Sequence, residues 1–404
     1  MKKISIYFAF ALMAMLFLSS IPTAGAVPSL EFTEADVTTE TGYDHRGPAV
    51  VKNGTDITLV YVDYDTNDLM VMVQQAGTWG EPIMIYNGTF NSSDGAIYDL
   101  PYQFDLAYNG SFMLAVVIET GEYYYGLKFL ITDVFSADIT ANDFETVIAD
   151  DMDGPEYVQM AVKGNTVYLG FSMYVYDDGH YQNYVIWKAP NADWTDPMMV
   201  AKYLYNNNIV ELFYSSSDDK FFMLIREYSY GIFMKISVYS TATPQTNTSW
   251  IKDTSLDPLY DGLAGRGAQI VENNAGTMIC VYQTAINDDS STAPNDIMIA
   301  YEGTTGWETT RVNVTKAITS YDQLGLVLDS NGLPIVFSIQ YGDTYDVIKM
   351  YTPTEVQTSS TTTTTTTVNQ TTTTSGDASS PGFTLEFIFV GFTIIGIVII
   401  RRRR

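Results

Sequence analysis

Six turn positions recur along the chain at nearly equal spacing. Each is a small residue that follows one apolar, strand-like stretch and precedes another, and successive positions are 56, 54, 55, 57 and 56 residues apart. The six positions are Gly54, Gly110, Gly164, Asp219, Gly276 and Gly332. A fixed period of this kind indicates repeated modules that bury their apolar faces only against neighbouring modules. The repeat therefore limits the fold to a small set of repetitive architectures.

Aromatic residues mark a second equivalent position in these units. The stretches "TNDLMVMVQQAGTW" (66–79) and "PNDIMIAYEGTTGW" (294–307) share Asn-Asp, an aliphatic-Met-aliphatic triplet and a tryptophan eleven residues after the Asp. Four tryptophans fall 25 to 31 residues after their turn, and a phenylalanine roughly takes that place in the second unit. These residues are Trp79, Trp194, Trp250, Trp307 and Phe144.

Each unit contains strand patterns only. Asn-Gly pairs at 53–54, 109–110 and 331–332 favour tight hairpins, because both central residues of a type I′ turn have positive φ. The flanking stretches are rich in β-branched and aromatic residues, which suit half-buried strands. Between residues 29 and 353 no helical periodicity competes with this pattern.

Four antiparallel strands per unit, repeated around an axis, define a β-propeller. The sequence therefore predicts an all-β, six-bladed propeller over residues 27–353. The last unit supplies only three clear strands, so we expect Leu30 to Val37 to provide its missing outer strand and close the ring. Two stacked sandwiches of three units each are the alternative. A seventh blade is disfavoured because there is no seventh turn position.

The two ends predict export and membrane attachment. Lys2 and Lys3 precede an apolar stretch and then Ala24-Gly25-Ala26, which is the order of a secretory signal peptide over residues 1–26. Residues 354–380 are dominated by Thr and Ser, a composition typical of extended O-glycosylated stalks. Residues 384–400 are apolar and just long enough to span a bilayer, with four arginines after them on the cytoplasmic side. We therefore expect a disordered stalk and a single C-terminal transmembrane helix.

The C-terminal order of features resembles a known sorting signal. Pro381, Gly382 and Phe383 stand before the apolar segment and the terminal arginines within residues 381–404. This arrangement is similar to the PGF-CTERM signal of archaeal surface proteins. The resemblance implies an archaeal cell-surface protein whose C-terminal helix is removed by an archaeosortase and whose new end is joined to a membrane lipid. A plain C-terminal anchor, in which the helix is retained, is the alternative.

Seven Asn-x-Ser/Thr sequons favour a glycosylated extracellular protein. They are Asn53, Asn87, Asn91, Asn109, Asn247, Asn313 and Asn369. The only cysteine, Cys280, lies in an apolar strand pattern and is expected to be buried without a disulfide. The net charge of −27 makes a nucleic-acid partner unfavourable, because the phosphate backbone would be repelled.

The units also resemble the blades of sialidase-like and other BNR propellers. Ala76-Gly77-Thr78-Trp79 is similar to the Gly-x-Thr-Trp ending of those blades, although the Ser-x-Asp that opens an Asp-box is absent. The resemblance implies a propeller and, for sialidase chemistry, three axial arginines, a Tyr-Glu pair and an acid. The head contains only four arginines, of which Arg311 is predicted on an outer strand. No catalytic residue is therefore assigned by this resemblance.

One face of the predicted ring gathers tyrosines and acids. The loops between second and third strands share this face with the connections between blades, and all six carry an acid and five carry tyrosine. Tyrosine offers a flat apolar ring with a hydroxyl, and carboxylates accept hydrogen bonds from sugar hydroxyls. The candidate ligand-binding residues are Arg46, Asp63, Asp65, Tyr123, Tyr124, Asp177, Asp178, Tyr181, Arg266 and Asp288. Solvation of ordinary polar loops is the alternative interpretation.

A calcium site is a further candidate on this face. Asp63, Asp65, Asn67 and Asp68 place oxygen ligands at nearly alternate positions, as at the start of a calcium loop. The turn glycine and distal glutamate of an EF-hand are absent, so Ca²⁺ is a possible cofactor only.

These patterns lead to one preferred function and two alternatives. With two histidines and no HExxH, P-loop or G-x-S-x-G motif, the sequence favours non-catalytic binding of glycan or protein partners at the cell surface. An extracellular carbohydrate-active enzyme, a glycosidase or lyase working through a carboxylate pair, is the first alternative. A structural component of the cell envelope is the second. Two close carboxylates in a deep pocket would favour the enzyme.

Overall fold

The structure is a computed structural model of the full chain, and the residues it describes belong to the predicted head, except for Thr354 and Glu355 at the start of the predicted stalk. They are 30–38, 46–63, 66–91, 97–121, 124–151, 154–175, 179–202, 208–228, 234–252, 264–285, 295–303, 306–312, 324–340 and 347–355. The predicted signal peptide, nearly all of the stalk, the transmembrane helix and the sorting motif lie outside these residues. Within the described part of the chain, no helix has the length and apolar character needed to cross a membrane.

Strands account for almost all the regular structure in the described ranges. In chain order they are β1 (Leu30–Asp36), β2 (Arg46–Asn53), β3 (Asp56–Asp63), β4 (Asp68–Gln75), β5 (Thr78–Trp79), β6 (Ile83–Tyr86), β7 (Thr89–Asn91), β8 (Ile97–Tyr108), β9 (Phe112–Gly121), β10 (Tyr124–Thr132), β11 (Glu145–Asp151), β12 (Pro155–Lys163), β13 (Thr166–Val175), β14 (His180–Lys188), β15 (Met198–Lys202), β16 (Asn208–Ser215), β17 (Lys220–Tyr228), β18 (Met234–Thr241), β19 (Ile251–Lys252), β20 (Ala264–Glu272), β21 (Met278–Ala285), β22 (Asn295–Gly303), β23 (Gly306–Val312), β24 (Gly325–Leu328), β25 (Pro334–Gln340) and β26 (Val347–Glu355). Two short 3₁₀ helices, Ala141–Asp143 and Asn247–Ser249, lie between strands.

The strands form six antiparallel sheets, and each sheet is one blade. Blade 1 contains β2 to β6, blade 2 contains β7 to β11, blade 3 contains β12 to β15, blade 4 contains β16 to β19, and blade 5 contains β20 to β23. Blade 6 has the order β1-β26-β25-β24. The innermost strands β2, β8, β12, β16, β20 and β24 contact one another in sequence, and β24 contacts β2. The predicted six-bladed propeller is therefore confirmed, and the stacked-sandwich alternative is excluded.

The N-terminal strand closes the ring. β1 pairs antiparallel with β26 from Leu30 opposite Glu355 to Asp36 opposite Lys349. Lys349 forms an ion pair with Glu34 at 2.9 Å and a second with Asp36. The predicted donation of Leu30 to Val37 to the last blade is thus confirmed.

The six periodic turn positions adopt the conformation that their residue types favour. Each connects the first and second strands of its blade and has positive φ, between 52° for Asp219 and 85° for Gly110. Glycine tolerates this region because it has no Cβ, and aspartate tolerates it better than most residues. The repeat visible in the sequence is therefore a repeat of left-handed turns.

The hydrophobic core is divided among the interfaces between adjacent blades. Six clusters of buried residues each combine one blade with its neighbour, which accounts for all six interfaces of the ring. Aromatic residues in or just before the outer strands pack edge-on against the preceding blade. Trp79 meets Phe337 at a ring distance of 6.1 Å, and Trp194 meets Phe129 at 5.1 Å. The recurring aromatic position thus contributes to five of the six interfaces, all but the one between blades 5 and 6.

Candidate functional site

The two faces of the propeller differ in what they carry. The hairpin face bears the six left-handed turns between first and second strands. The opposite face, called the loop face here, is where the innermost strands begin and the second strands end. The candidate residues that the structure describes lie at the loop-face ends of their strands, and the sequons Asn53 and Asn109 are exposed beside turns on the hairpin face.

The structure describes only some of the predicted candidates. Tyr124 at the start of β10 is 40% exposed, Tyr181 lies near the start of β14, and Asp63 ends β3. Arg46 and Arg266 are placed by their backbone near the beginnings of innermost strands β2 and β20. The remaining candidates, Asp65, Tyr123, Asp177, Asp178 and Asp288, lie outside the described residues.

The predicted calcium loop is described only in part. Asp63 Oδ1 accepts a hydrogen bond from Thr66 N at 3.4 Å, and Asp68 Oδ1 accepts one from Gly88 N at 3.1 Å. Asn67 has a left-handed backbone with φ of 58°. Among the described residues there is no group of three or more His, Cys, Asp or Glu side chains suited to a metal. Because Asp65 is outside those residues, calcium binding stays a prediction.

A tyrosine and a glutamate meet at the loop face of blade 3. Tyr181 Oη donates a hydrogen bond to Glu156 Oε2 at 2.7 Å. Glu156 is the second residue of innermost strand β12, and the pairing of β12 with β13 shifts register between Pro155 and Tyr157. Such a bulge redirects the side chain of the extra residue. The strand irregularity therefore explains how a residue of the innermost strand reaches a tyrosine of the third strand.

Two further tyrosines hold the ring of Tyr181. Tyr174, directly opposite Tyr181 in the β13–β14 pairing, contacts it edge-on at a ring distance of 5.2 Å. Tyr157 contacts it at 6.0 Å, with the two rings inclined at 70°. Edge-to-face contacts of this kind fix ring orientation as well as burying area. The phenol of Tyr181 is therefore held by three neighbours from two other strands of its blade.

Blade 2 contributes a second acid and more tyrosines to the same region. Glu119 in β9 follows Ala115 and Val117, which pack on blade 3, so alternation along the strand puts Glu119 on that side. Its cross-strand partner Tyr125 contacts Tyr102 at a ring distance of 5.3 Å. The interface between blades 2 and 3 thus ends at the loop face in a group of tyrosines around two glutamates.

The local environment shifts the proton equilibria of this group. Burial raises the pKa of Glu156, the hydrogen bond from Tyr181 lowers it, and the charge of Glu119 raises it further. Burial raises the pKa of Tyr181 well above its usual range, and the charge of Glu156 adds to this. At neutral pH Tyr181 is therefore a neutral phenol whose proton points at a carboxylate. That geometry suits transfer of the proton to Glu156 when the phenol oxygen attacks an electrophile.

A second group of acids lies in a cavity along the propeller axis. The cavity has a volume of about 690 Å³, is lined by all six innermost strands, and reaches turn residues of the hairpin face such as Gly54 and Gly332. Asp105 and Glu211, both buried, line it. Burial raises the pKa of Asp105 to about 7 and that of Glu211 well above its usual range, and the charge of Asp105 raises the latter further.

Both axial carboxyls also connect neighbouring blades. Asp105 Oδ2 accepts a hydrogen bond from Met160 N of blade 3 at 2.6 Å. Glu211 accepts one from the backbone N–H of Ile270 in blade 5. Gln269 Oε1 accepts a corresponding bond from Leu326 N in blade 6. These contacts join one innermost strand to the next, so the axial acids have a structural task whatever the cavity contains.

Sequence reasoning named Tyr181 but missed its partner. Glu156, Glu119, Asp105 and Glu211 all lie inside strands, where an isolated acid reads as a solvent-facing residue. In a propeller, however, residues of the innermost strands face the axis, and residues of the second strands, such as Glu119, face the neighbouring blade. One sequence feature could have indicated Glu156 as a site residue, because it comes directly after Gly-Pro at the start of the first strand of its blade.

Comparison with known proteins identifies the fold but no family. Neither a protein-family model nor a curated protein sequence matches the chain. Trypanosoma rangeli sialidase is 7% identical over 81% of this chain and 60% of its own, with a TM-score of 0.57. A protein of unknown function from Dyadobacter fermentans is 12% identical over 82% of this chain and 100% of its own, with a TM-score of 0.56. A thermostable family-43 glycoside hydrolase is 14% identical over 70% of this chain and 99% of its own, with a TM-score of 0.47.

These comparisons confirm the sialidase-like propeller at the level of the fold. This chain spans about 60% of the length of the sialidase. The preference for a non-catalytic binding protein, and against an enzyme, is corrected here, because a solved propeller with the same fold is a sialidase. The alternative stated from the sequence, a carbohydrate-active enzyme, is the one that these findings favour.

Proposed function

We propose that this chain is a carbohydrate-active enzyme that hydrolyses glycosidic bonds, with Tyr181 and Glu156 as the reacting pair. The observation that carries the proposal is the 2.7 Å hydrogen bond from Tyr181 Oη to the carboxylate of Glu156. Sialidases are glycosidases that use a tyrosine nucleophile in place of a carboxylate. The shared propeller fold supports the proposal but assigns no substrate.

In the proposed reaction, Tyr181 Oη attacks the anomeric carbon while Glu156 takes the phenolic proton. The glycosidic C–O bond breaks, and the leaving oxygen is protonated by a second carboxyl group, for which Glu119 is the described candidate. Water then attacks the glycosyl-tyrosine bond and gives its proton to Glu119, and Glu156 returns its proton to Tyr181. The net reaction is hydrolysis of the glycosidic bond with retention of the anomeric configuration, because two displacements occur at the same carbon.

The test is hydrolysis of a panel of 4-methylumbelliferyl glycosides that includes a sialoside, followed by trapping. We expect the wild type to release the fluorophore from at least one substrate. Tyr181→Phe and Glu156→Gln should lower kcat by at least about 100-fold, the range that general acid–base groups contribute. A fluorinated analogue of the accepted sugar should add one glycosyl mass to the wild type, on a peptide containing Tyr181.

Tyr184→Phe is the matched control, because Tyr184 lies on the same strand and donates its hydroxyl hydrogen bond to Gln182 at 2.8 Å. Its activity should equal that of the wild type. A wild type that is inactive on the whole panel, or a Tyr181→Phe variant with unchanged kcat, would overturn the proposal.

The enzyme is proposed to work outside the cell, tethered to the membrane. The support is the sequence alone: the signal peptide, the Thr/Ser stalk and the Pro381-Gly382-Phe383 motif before the apolar segment. Intact mass of the protein extracted from the membranes of its native cells tests this. A start at Val27 and either a retained C-terminus or a lipid-modified end after the stalk are expected. Full-length protein recovered from the cytosol would contradict it.

A further inference from the structure

The described ionisable groups around the Tyr181–Glu156 pair are acids. Tyr181 Oη donates to Glu156 Oε2 at 2.7 Å. Burial raises the pKa of Glu156, and the charge of Glu119 on blade 2 raises it further. Burial also raises the pKa of Tyr181, and the charges of Glu156, Tyr157 and Tyr102 add to this. In the described part of the chain, the groups that act on this pair are therefore carboxylates and phenols, which become negative when they ionise.

Blades 2 and 3, which carry these groups, are poor in basic residues. Residues 89–202 contain 17 aspartates and glutamates but only four lysines, one histidine and no arginine. The side chains of Lys202 and His180 lie outside the described residues. The other three lysines are held by partners away from the reacting pair. These contacts are Lys128 with Tyr86 of blade 1 at 3.0 Å, Lys188 with Glu145 at 2.6 Å and Lys163 with Asp219 of blade 4.

A sugar that carries a carboxylate would meet like charge at this site. The ring attacked by Tyr181 must lie close to Glu156, because the phenol oxygen is hydrogen-bonded to that carboxylate. Like charges repel, and the repulsion grows as water is expelled from between them. Carboxylates are usually held by the charge-assisted hydrogen bonds of arginine or lysine. Tyrosine instead offers an apolar ring face and a hydroxyl, which suit the apolar face and the hydroxyls of a neutral sugar.

We infer that the substrate of this site is an uncharged sugar, and that Glu156 and Glu119 together exclude sugars with a carboxylate on the reacting ring, such as sialic and uronic acids. This inference rests on the proposed function. It gives the chain a different substrate class from the sialidase whose fold it shares.

The test compares kcat/KM on matched 4-methylumbelliferyl glycosides that differ in charge. The pairs are glucosides with glucuronides and galactosides with galacturonides, in both anomers, and the sialoside and neutral pentosides complete the set. For the wild type, kcat/KM on the best neutral substrate should exceed that on every anionic one by at least about tenfold, because repulsion between neighbouring like charges is of this order.

A variant that adds a positive charge tests the cause. Tyr102 is half-buried on β8, and its charge acts on the pKa of Tyr181 after that of burial. Tyr102→Lys should raise kcat/KM on the anionic substrates, relative to the neutral ones, at least about tenfold. This ratio does not depend on the folded fraction, because both substrates are measured on the same sample. Tyr108→Lys is the matched control, since Tyr108 is a half-buried tyrosine at the hairpin-face end of the same strand. Its ratio should equal that of the wild type.

Two results would overturn the inference and leave the proposed hydrolysis standing. One is a wild type that hydrolyses the sialoside or a uronide as well as it hydrolyses the best neutral substrate. The other is a Tyr102→Lys variant whose ratio equals that of the wild type. A wild type inactive on every substrate overturns both the inference and the proposed function.

Discussion

Replacing Asp105 by asparagine should change how the stability of the propeller depends on pH. The carboxyl of Asp105 is buried on the propeller axis, and burial raises its pKa from 3.8 to about 7. The folded state therefore binds a proton that the unfolded state has released between about pH 4 and pH 7. The contribution of Asp105 to the free energy of unfolding is therefore most favourable below pH 4 and is lost as the pH rises through 7. The difference of about 3 pKa units corresponds to about 4 kcal/mol.

Asparagine removes the titration but also loses an acceptor. Asp105 accepts backbone hydrogen bonds from Leu106 N at 2.8 Å and Met160 N at 2.6 Å, one on each carboxyl oxygen. The amide of asparagine has one oxygen, so one buried N–H is left without its partner at a cost of about 1–3 kcal/mol at every pH. The variant should therefore be less stable than the wild type at pH 4 and equal to it or more stable at pH 8.

The free energies of unfolding of variant and wild type are measured by urea unfolding, followed by tryptophan fluorescence, at pH 4, 5, 6, 7 and 8. The decisive quantity is the difference between variant and wild type, because the net charge of −27 makes the stability of any version of the chain depend on pH. Asp138→Asn, at an exposed loop aspartate, is the control and should run parallel to the wild type. A difference for Asp105→Asn that stays constant from pH 4 to pH 8 would refute the reasoning.

Three other predictions concern the site, the core and the closure of the ring. Hydrolysis should fall along the acid limb of the pH–rate profile as pH drops through the raised pKa of Glu156, because the carboxylate must be ionised to accept a proton. Phe337→Ala should lower the free energy of unfolding by about 3–5 kcal/mol in urea titrations, since its fully buried ring packs between blades 6 and 1. Deleting residues 27–36 should lower the melting temperature markedly, with partial recovery on adding the missing segment as a peptide, because Lys349 and the outer edge of β26 lose their partners.

The fold could be predicted from the sequence because its repeat is imposed by local chemistry. A chain must reverse between the first and second strands of every blade, and positive φ restricts the residue there to glycine or to one of few others. Blade 4 shows the same constraint met by Asp219, with φ of 52°. Ring closure was predictable for a similar reason, since the last unit lacks one strand and the stretch before the first unit supplies one.

The site could be predicted only in part, because its main contact depends on a strand irregularity. Tyr181 was visible as one of many tyrosines near the ends of strands. Its hydrogen bond with Glu156 arises from the register shift between Pro155 and Tyr157. The local sequence pattern does not predict this shift. The approach of Glu119 depends on how two blades pack, and so on contacts far apart in sequence. The sequence repeat therefore predicts the propeller, whereas the positions of the proposed reacting residues depend on an irregular strand pairing that the repeat does not contain.

Three hydrogen bonds between neighbouring innermost strands explain why the Tyr181–Glu156 pair, and not the axial carboxyls, is assigned to catalysis. Asp105, Glu211 and Gln269 all accept a backbone N–H from the next innermost strand. Because Gln269 does this with a neutral amide, the link requires an acceptor and no charge. Tyr181 instead points its phenolic proton at a carboxylate, and only an ionised partner can take that proton up. Amides should therefore be tolerated at 105 and 211 far better than at 156 when hydrolysis is measured.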